Sequence, residues 1–437
     1  MPSAIVIGGG LAGLAAAAAL GSSGFEVDLF ESRGFLGGRA TSYPLNTSEG
    51  SETIDNCQHV LLRCCVNLLD FYGRLGVGDR IQFHKKFYFI EPGGRVSTMQ
   101  AGALPKPHHF TESFLTMKCF DLRDKIAIGR GLLALQRERK RADLDRITML
   151  DWLREKRQTQ RAIDRFWQQV LVSAINEDLD RMAAIHGFQV FWLGFLASRT
   201  SYEMGVPAVP LAELYSPKVW ERVGNVRLNL RSPVDRLLFS DGRISDVLSR
   251  GIERKADHYI STLPFERLEA LGLDIDVSQF THSPITGIHL WFDRKITDLP
   301  HATLLDRTIQ WMFNKGEGRY LQLVVSASRK LLEMSRGEVI DLAMRELAEF
   351  FPLVTQAKLE KAHVVKEVRA TFSAAPGLES VRPGPETRFS NLFMAGDWTR
   401  SGWPATMEGS VRSGYIAAEA VAAATGQSQR YLLPDIA

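Results

Sequence analysis

Cysteine is scarce in this chain of 437 residues, and its four cysteines are poorly placed for covalent or metal cross-links. Cys57 and Cys119 stand alone, whereas Cys64 and Cys65 are adjacent, so no C-x-x-C pair is present. Disulfide-stabilised secreted folds and zinc sites need several cysteines or histidines at regular spacings. The sequence therefore predicts reduced thiols, no metal site and a cytoplasmic location.

An excess of charge of one sign is also missing, since 53 Lys and Arg residues face 50 Asp and Glu residues, for a net charge of +3. Proteins that bind nucleic acid through bulk charge carry a basic surplus, so we expect no nucleic-acid partner. No apolar run reaches the roughly 20 residues that cross a bilayer as a helix. The apolar N-terminal stretch lacks the basic residues of a secretory signal, so we expect neither a signal peptide nor a transmembrane helix.

What the chain does contain, at its N terminus, is a strand–turn–helix–strand pattern with a glycine-rich turn. Gly8, Gly10 and Gly13 fit G-x-G-x-x-G between an apolar β run and an alanine-rich helix, and Glu31 ends the next predicted strand. Such glycines permit a tight turn, close approach to a pyrophosphate and close packing of helix on strand. The helix N terminus then faces the phosphates, and the acidic residue can accept ribose hydroxyls. The sequence therefore predicts a dinucleotide site.

Two features near the C terminus favour FAD over NAD as that dinucleotide. A predicted strand ends in Gly396-Asp397, and its carboxylate can bond a ribityl hydroxyl or a water on the pyrophosphate. The segment Thr406-Met407-Glu408 opens the last predicted helix, whose N–H groups can stabilise negative charge at the N1–O2 edge of reduced flavin. No second G-x-G-x-x-G occurs, so we expect non-covalent FAD and no separate nicotinamide site.

Further cofactor contacts are expected beside these motifs. Arg33 and Arg39 can donate charge-assisted hydrogen bonds to the pyrophosphate. Val234 begins a predicted strand over residues 234–239. The residues predicted to bind FAD are Gly8, Gly10, Leu11, Ala12, Gly13, Glu31, Ser32, Arg33, Gly38, Arg39, Gln58, His59, Val234, Gly396, Asp397, Thr406, Met407 and Glu408.

The order of predicted strands and helices indicates an α/β fold. Among its local elements, residues 42–53 predict a polar loop, residues 58–72 a helix, and residues 81–95 a hairpin with its turn at residues 92–94. We expect a Rossmann-like FAD-binding domain built from the separated segments 1–75, 215–265 and 370–437. An inserted α+β substrate-binding domain of mixed sheet and helices would take residues 76–214 and 266–369, with residues 105–200 mainly helical.

At the glycine turn, at residues 37–39 (GGR) and at Gly396-Asp397, the chain resembles the amine oxidase/phytoene desaturase superfamily of FAD enzymes. Residues 55–62 (DNCQHVLL), 395–399 (AGDWT) and 402–409 (GWPATMEG) resemble the hydroxysqualene dehydroxylases within it. The resemblance runs over nearly the whole chain and implies an FAD domain of the glutathione-reductase/amine-oxidase type. Cys57 departs from the pattern, because that family has glycine there; a cysteine fits only with negative φ or extra space nearby.

The resemblance to the dehydroxylases implies a reaction on hydroxysqualene, a C30 isoprenoid alcohol of bacterial squalene and hopanoid biosynthesis. The allylic hydroxyl leaves as water, and hydride from N5 of reduced flavin gives squalene, so a proton donor is needed. His59, Asp55 and Glu408 are the candidate donors. His59 can instead bond backbone or flavin, Asp55 can cap a following helix, and Glu408 can act through its backbone N–H. The electron donor that re-reduces FAD stays unknown.

A long hydrocarbon substrate implies an apolar tunnel and access from a membrane. The aromatic run Phe188, Phe191, Trp192 and Phe195 can line the tunnel or belong to the core, and Trp398 and Trp403 can wall the flavin or simply pack. The basic stretch 125–146 can lie peripherally on the inner face of the cell membrane, or form a solvated helix with salt bridges.

Three other functions remain open on the sequence. A carotenoid-type desaturase would remove hydride from a polyene with oxidised flavin. A flavin amine oxidase would need an aromatic cage and an amine site, for which Gln58 and His59 give no particular support. A lipid-binding carrier could hold FAD as a structural group.

Overall fold

The computed structural model describes residues 1–47 and 50–436. Its α-helices are α1 (Leu11–Ser22), α2 (Val66–Arg74), α3 (Thr111–Thr116), α4 (Leu122–Glu138), α5 (Met149–Glu155), α6 (Gln160–Ala162), α7 (Gln168–Ile175), α8 (Ala184–Phe191), α9 (Leu211–Leu214), α10 (Pro217–Trp220), α11 (Arg329–Leu332), α12 (Arg336–Phe350), α13 (Leu378–Val381) and α14 (Met407–Ala424). Its strands are β1 (Ser3–Ile7), β2 (Glu26–Phe30), β3 (Ser42–Thr47), β4 (Gly50–Asp55), β5 (Leu61–Leu62), β6 (Ile81–His84), β7 (Phe87–Ile90), β8 (Val96–Met99), β9 (Met204–Pro207), β10 (Val226–Asn229), β11 (Arg236–Ser240), β12 (Arg243–Ser249), β13 (Ile252–Arg254), β14 (His258–Ser261), β15 (His282–Phe292), β16 (His301–Leu304), β17 (Trp311–Gly316), β18 (Tyr320–Ser326), β19 (Leu359–Phe372) and β20 (Leu392–Met394).

A parallel sheet of five strands forms the first layer, and its strands come from distant parts of the chain. The order is β10–β2–β1–β14–β20, and every neighbouring pair is parallel. Parallel sheets are covered by helices on their faces. Residues 11–21 of α1 are all buried, and its small alanines let the helix pack closely on β2 and α14. The predicted α/β class with a Rossmann-like layer is confirmed, while the predicted domain limits stay predictions.

A second sheet of seven strands carries the rest of the chain, in the order β19–β15–β18–β17–β16–β7–β8. Its pairs are antiparallel except for β16 with β7. The apolar face of α12 covers one side through Val339, Ala343 and Leu347, which share a core with the strands. On the other side, Trp311 of β17 donates a hydrogen bond to Ser173 of α7 at 2.7 Å. This layer is the expected mixed sheet with helices.

Three local predictions need correction. Residues 42–53 were expected to be a polar loop, but β3 and β4 pair antiparallel from Ser42↔Asp55 to Thr47↔Gly50, because Tyr43, Leu45 and Ile54 alternate with polar residues. Residues 48 and 49 of that loop prediction lie outside the described residues. A helix was expected from residue 58, but α2 begins at Val66, and the preceding Leu61–Leu62 pairs with β9. The predicted turn at residues 92–94 is present, but it closes the short hairpin β7–β8, because β6 pairs with β9 instead.

Candidate active site

The glycine turn joins β1 to α1 in the geometry that a pyrophosphate needs. Gly8 has φ +111°, and a Cβ on Gly13 would lie 2.0 Å from the carbonyl oxygen of Gly8, so neither position accepts a side chain. Gly10 is the N-cap of α1 and brings no side chain to the helix end. The first N–H groups of the helix, from Leu11 and Ala12 onward, therefore have no intrahelical acceptor and face a cradle open to an anion.

Glu31 fastens the end of β2 to this turn. Its carboxylate accepts hydrogen bonds from the backbone N–H of Gly9 at 2.8 Å, from the N–H of Arg33 at 2.7 Å and from the hydroxyl of Ser32 at 3.0 Å. The side chain of Glu31 is buried, whereas the guanidinium of Arg33 lies exposed over the ring of Phe35. Glu31 thus stands where the ribose is predicted, and Arg33 joins the turn through its backbone.

Arg39 links the two ends of the chain. Its guanidinium forms an ion pair with Asp397 at 2.6 Å and also donates to the carbonyl of Ala370 at 2.9 Å. Asp397 is only 8% exposed in its side chain, so the pair is largely shielded on one side. The structure therefore brings together the two motifs expected to hold FAD, although Arg39 meets a carboxylate as well as the predicted pyrophosphate.

The same cradle includes the neighbours of these two residues. Gly37 donates its N–H to the carbonyl of Gly9 at 2.9 Å, and the Cα of Gly10 lies next to Gly38. Gly396 has φ +146° and donates its N–H to the hydroxyl of Ser413 in α14 at 2.9 Å. Glycines from both ends of the chain thus lie next to Arg39 and Asp397, which form the ion pair.

Val234 was expected to begin a strand, but β11 begins at Arg236, so Val234 lies in the preceding turn. In that turn the N–H of Ser232 donates to the carbonyl of Glu31 at 2.8 Å. Val234 is therefore held near the predicted ribose end of the site, and its contact with FAD stays a prediction.

The last helix, α14, begins with a side-chain cap. Thr406 is its N-cap, and the hydroxyl of Thr406 accepts from the N–H of Gly409 at 3.0 Å. The N–H groups of Met407 and Glu408 belong to the first helical turn, where an α-helix supplies no internal acceptor. Their contact with the flavin edge stays a prediction.

The carboxylate of Glu408 is hydrogen-bonded to the start of α2, and this argues against its predicted role as a proton donor. It accepts from Asn67 N at 3.2 Å, from Asn67 Nδ2 at 2.9 Å and from Leu68 N at 2.7 Å, at the first turn of α2. Glu408 is fully buried, and this burial raises the pKa of its carboxyl. The side chain caps α2 from 340 residues away, and α14 and α2 are thereby joined.

Asp55 also caps a helix, but not the one expected. One carboxylate oxygen accepts from the hydroxyl of Ser42 at 2.6 Å and from the N–H of Leu211 at 3.0 Å, where α9 begins. The other oxygen lies 3.4 Å from the ammonium of Lys315, which also donates to the side-chain carbonyl of Gln58 at 3.0 Å. Lys315 was not predicted from the sequence. Its partners Gln58 and Asp55 precede it by 257 and 260 residues, so no local sequence pattern indicates the contact.

The ring of His59 is oriented by its own turn. Its Nδ1 lies 3.0 Å from the carbonyl oxygen of Cys57, and a carbonyl only accepts, so Nδ1 carries the hydrogen. Burial lowers the pKa of His59, and the bond to Cys57 offsets part of that effect. In the neutral ring Nε2 carries no hydrogen. It can therefore accept a hydrogen bond, but it has no proton to donate to a leaving hydroxyl.

Cys57 fits where the sequence pattern has glycine because its backbone φ is not positive. A Cβ on Gly287 of β15 would lie 3.1 Å from the carbonyl oxygen of Asn56 but 3.8 Å from the sulfur of Cys57. Gly287 therefore makes room for the backbone before Cys57, not for its thiol. Burial raises the pKa of Cys57 to about 12, so the sulfur stays protonated and unreactive.

A mainly apolar cavity opens onto these elements. Cys57, Gln58, Thr406, Met407 and Glu408 belong to its lining, so Glu408 borders the cavity although its carboxylate bonds α2. The other lining residues come from residues 60–68 and 403–404, from the second sheet and β9, and from the helical segment. Among the aromatic candidates, Phe195 and Trp403 line the cavity. The other aromatic candidates pack elsewhere: Phe188 and Phe191 against Trp152 and Trp167, Trp192 under Arg139, and Trp398 against Phe280.

Comparison with protein families matches residues 11–422 to the flavin containing amine oxidoreductases. The chain belongs to this family. It is 25% identical over 466 residues to 15-cis-phytoene desaturase of Synechococcus elongatus, with 97% of each protein covered. It is also 24% identical to zeta-carotene desaturase of Synechocystis, covering 98% of this chain and 99% of that protein. Membership of the family and the glycine cradle agree: the protein is an FAD-dependent oxidoreductase.

Solved structures show the same fold at low identity. An oxidoreductase from Methanosarcina mazei superposes with a TM-score of 0.71 at 15% identity, over 94% of this chain and 98% of that one. Cyclohexylamine oxidase from Brevibacterium oxydans superposes with a TM-score of 0.65 at 17% identity, over 98% and 100% of the two chains. These likenesses establish the expected amine-oxidase type of fold.

Proposed function

We propose that the protein carries out flavin chemistry on a long-chain isoprenoid held in the apolar cavity. The observation that carries this proposal is the position of the cavity, which meets Gln58, Thr406 and Met407 at the predicted flavin edge. A mainly hydrocarbon wall stabilises a hydrocarbon ligand by roughly 25 cal/mol for each Å² of apolar surface removed from water. When bound, FAD accepts or supplies a hydride at such an edge.

For the reaction itself we propose dehydroxylation of hydroxysqualene to squalene. Support comes from residues 55–62 and 402–409, whose sequences resemble the dehydroxylases and which contribute Cys57, Gln58, Thr406 and Met407 to the cavity lining. The mainly apolar lining and the protonated thiol of Cys57 would limit the capture of an allylic cation by nucleophiles. The proton donor is then sought outside Asp55 and Glu408, because both carboxylates cap helices.

Carotenoid-type desaturation is the second candidate, and the named relatives favour it. Tomato 15-cis-phytoene desaturase is 27% identical over 455 residues, covering 95% of this chain and 77% of that protein. Desaturation needs oxidised flavin and an acyclic polyene, whereas dehydroxylation needs reduced flavin and an alcohol.

The two reactions are separated by the redox state of the flavin. Reduced holoenzyme mixed anaerobically with hydroxysqualene should become oxidised as squalene appears in stoichiometric amount. Oxidised holoenzyme mixed with phytoene should bleach only if the protein is a desaturase. Reduced flavin and unchanged alcohol in the first experiment would refute dehydroxylation.

We also propose that α4 rests on an anionic membrane surface. Its outward face carries Leu122, Ile126 and Leu133, which are 72%, 46% and 48% exposed, and Arg123 and Arg130 alternate with them. Apolar side chains beside cations match the boundary of an anionic lipid layer. Among the described residues no helix is long and apolar enough to span a membrane.

Flotation with liposomes tests this surface. Wild-type protein should float with vesicles containing phosphatidylglycerol and much less with neutral vesicles. Ile126→Asp should abolish flotation, whereas Ile252→Asp, at a site 54% exposed on β13, should leave it unchanged. Equal flotation on neutral and anionic vesicles would contradict a role for the arginines.

A further inference from the structure

A groove between α4 and the end of α5 combines basic and apolar side chains. One wall is α4, and the other is formed by residues 155–159. The lining includes Leu122 and Ile126 together with Arg123, Arg130 and Arg157, and all five side chains are exposed. The described residues that line this groove are different from those that line the apolar cavity. The groove is therefore a second concave surface of the molecule.

One buried contact holds the two walls of the groove together. Gln158 is buried, and its Nε2 donates to the backbone carbonyl of Ala127, in the middle of α4, at 2.7 Å. Arg123 and Arg130 are two helical turns apart, about 10.5 Å along the axis, so they lie on the same face of α4 on either side of Ala127. Arg157 directly precedes Gln158, in the turn with φ +51° that follows α5. The three arginines therefore stand around one contact, two on α4 and one on the opposite wall.

The acidic side chains nearby are paired with other cations. Glu155 is the acidic residue among the described residues of the lining, and its carboxylate pairs with Arg141 and with Lys156, each at 2.8 Å. Asp121, the N-cap of α4, pairs with Arg161 at 3.2 Å. Within residues 1–47 and 50–436, the guanidinium groups of the three groove arginines form no ion pair or hydrogen bond. The groove therefore keeps an excess of positive charge.

An anion that carries an apolar part matches this arrangement. The planar fork of donors on an arginine fits the oxygens of a phosphate, and hydrogen bonds between charged groups are stronger than neutral ones. Aliphatic side chains beside cations suit the boundary between lipid headgroups and acyl chains. A free phosphate ion would satisfy the arginines but leave Leu122 and Ile126 in water, whereas a phospholipid covers both kinds of side chain. The groove therefore favours a phospholipid over a free phosphate ion.

We infer that this groove is a binding site for the headgroup phosphate of an anionic phospholipid. Arg123, Arg130 and Arg157 donate to the phosphate oxygens, and Leu122 and Ile126 contact the first carbons of the acyl chains. The inference rests on the proposed contact of α4 with a membrane, because it names the lipid group that this contact recognises. A site of this kind is saturable and depends on particular arginines, whereas diffuse attraction to a charged surface depends on the number of charges.

Calorimetric titration of the FAD-loaded protein with dihexanoylphosphatidylglycerol, kept below its micelle concentration, tests the site in the absence of a membrane surface. The wild type should bind this lipid saturably. Arg123→Gln, Arg130→Gln and Arg157→Gln should each weaken binding about tenfold, the worth of one charge-assisted hydrogen bond. Arg137→Gln in α4 and Arg154→Gln in α5 are matched controls, because they remove the same charge from exposed side chains outside the lining. Each control should change binding by less than about twofold, since salt screens exposed charges that do not touch the ligand.

Equal losses in the groove variants and the controls would overturn the site and leave only diffuse attraction between charges. Glycerol phosphate and inorganic phosphate are the comparison ligands, and binding of either as tightly as the short-chain lipid would assign the groove to a free phosphate and overturn the inference. Liposome flotation judges the membrane contact separately. Saturable lipid binding without flotation would keep the site and reject the docking of α4 on a membrane. Flotation without saturable binding would reject only the site.

Discussion

Glu408→Ala is expected to destabilise the fold through α2. The carboxylate is fully buried and accepts three hydrogen bonds from Asn67 and Leu68. Its removal leaves three buried donors, each worth about 1–3 kcal/mol, and partial rehydration of the gap brings the expected loss to about 4 kcal/mol. With an unfolding entropy of about 2.1 cal/mol/K per residue, this corresponds to a fall in Tm of about 4 °C.

The assay is urea unfolding of the FAD-loaded protein, followed by tryptophan fluorescence. Glu408→Gln should lose less than Glu408→Ala, because its amide oxygen still accepts while its NH2 group faces one of the donors. Glu253→Ala, a carboxylate on the exposed strand β13, should change the unfolding free energy by less than about 0.5 kcal/mol. A stable Glu408→Gln variant that binds FAD but loses turnover at least about 100-fold would refute the capping role and restore Glu408 as an acid.

Three further outcomes are expected. Arg39→Met should weaken FAD binding at least about tenfold, because it leaves the buried Asp397 unpaired. Arg33→Met, at an exposed side chain, should change FAD binding little. Equal loss of FAD from the two variants on dialysis would contradict this. Lys315→Met should lower FAD retention, because it removes the ammonium that donates to Gln58; unchanged retention in dialysis would contradict this. Burial lowers the pKa of His186 to about 3, so as the pH falls the unfolded state binds the proton first, and the free energy of unfolding falls below about pH 6.5. The loss of unfolding free energy between pH 7 and pH 5 should therefore be about 2 kcal/mol smaller in His186→Gln than in the wild type. Equal losses in urea unfolding would contradict this prediction.

Local sequence patterns predicted the parts of the fold that depend on local geometry. Gly8 and Gly13 stand in a turn where a Cβ has no room, and this requirement is visible as a spacing. The loop predicted for residues 42–53 was wrong, because the alternation of apolar and polar residues there is short and β3 and β4 pair with each other. The helix expected at residue 58 was displaced to Val66, because residues 61–62 pair with β9, which lies more than 140 residues away.

The structure brings some of the predicted site residues together and engages others in contacts that their motifs do not show. Arg39 and Asp397 were both expected at FAD, and the structure brings them into one ion pair. Asp55 and Glu408 were expected to be available as acids, but each carboxylate completes the N terminus of a helix far away in sequence. Motif reading sees the residue type and its spacing, whereas the partner is chosen by tertiary contacts.

The sequence by itself determined that the protein is an α/β flavoprotein, because glycine spacing, strand ends and helix starts are local and suffice to shape a dinucleotide cradle. Only the tertiary structure decided which polar groups are free to act. Lys315 reaches Gln58, Asp55 reaches Leu211 at the start of α9, and Glu408 reaches Leu68 at the start of α2. Each of these pairs joins segments more than 100 residues apart, and burial away from water makes their contacts decisive.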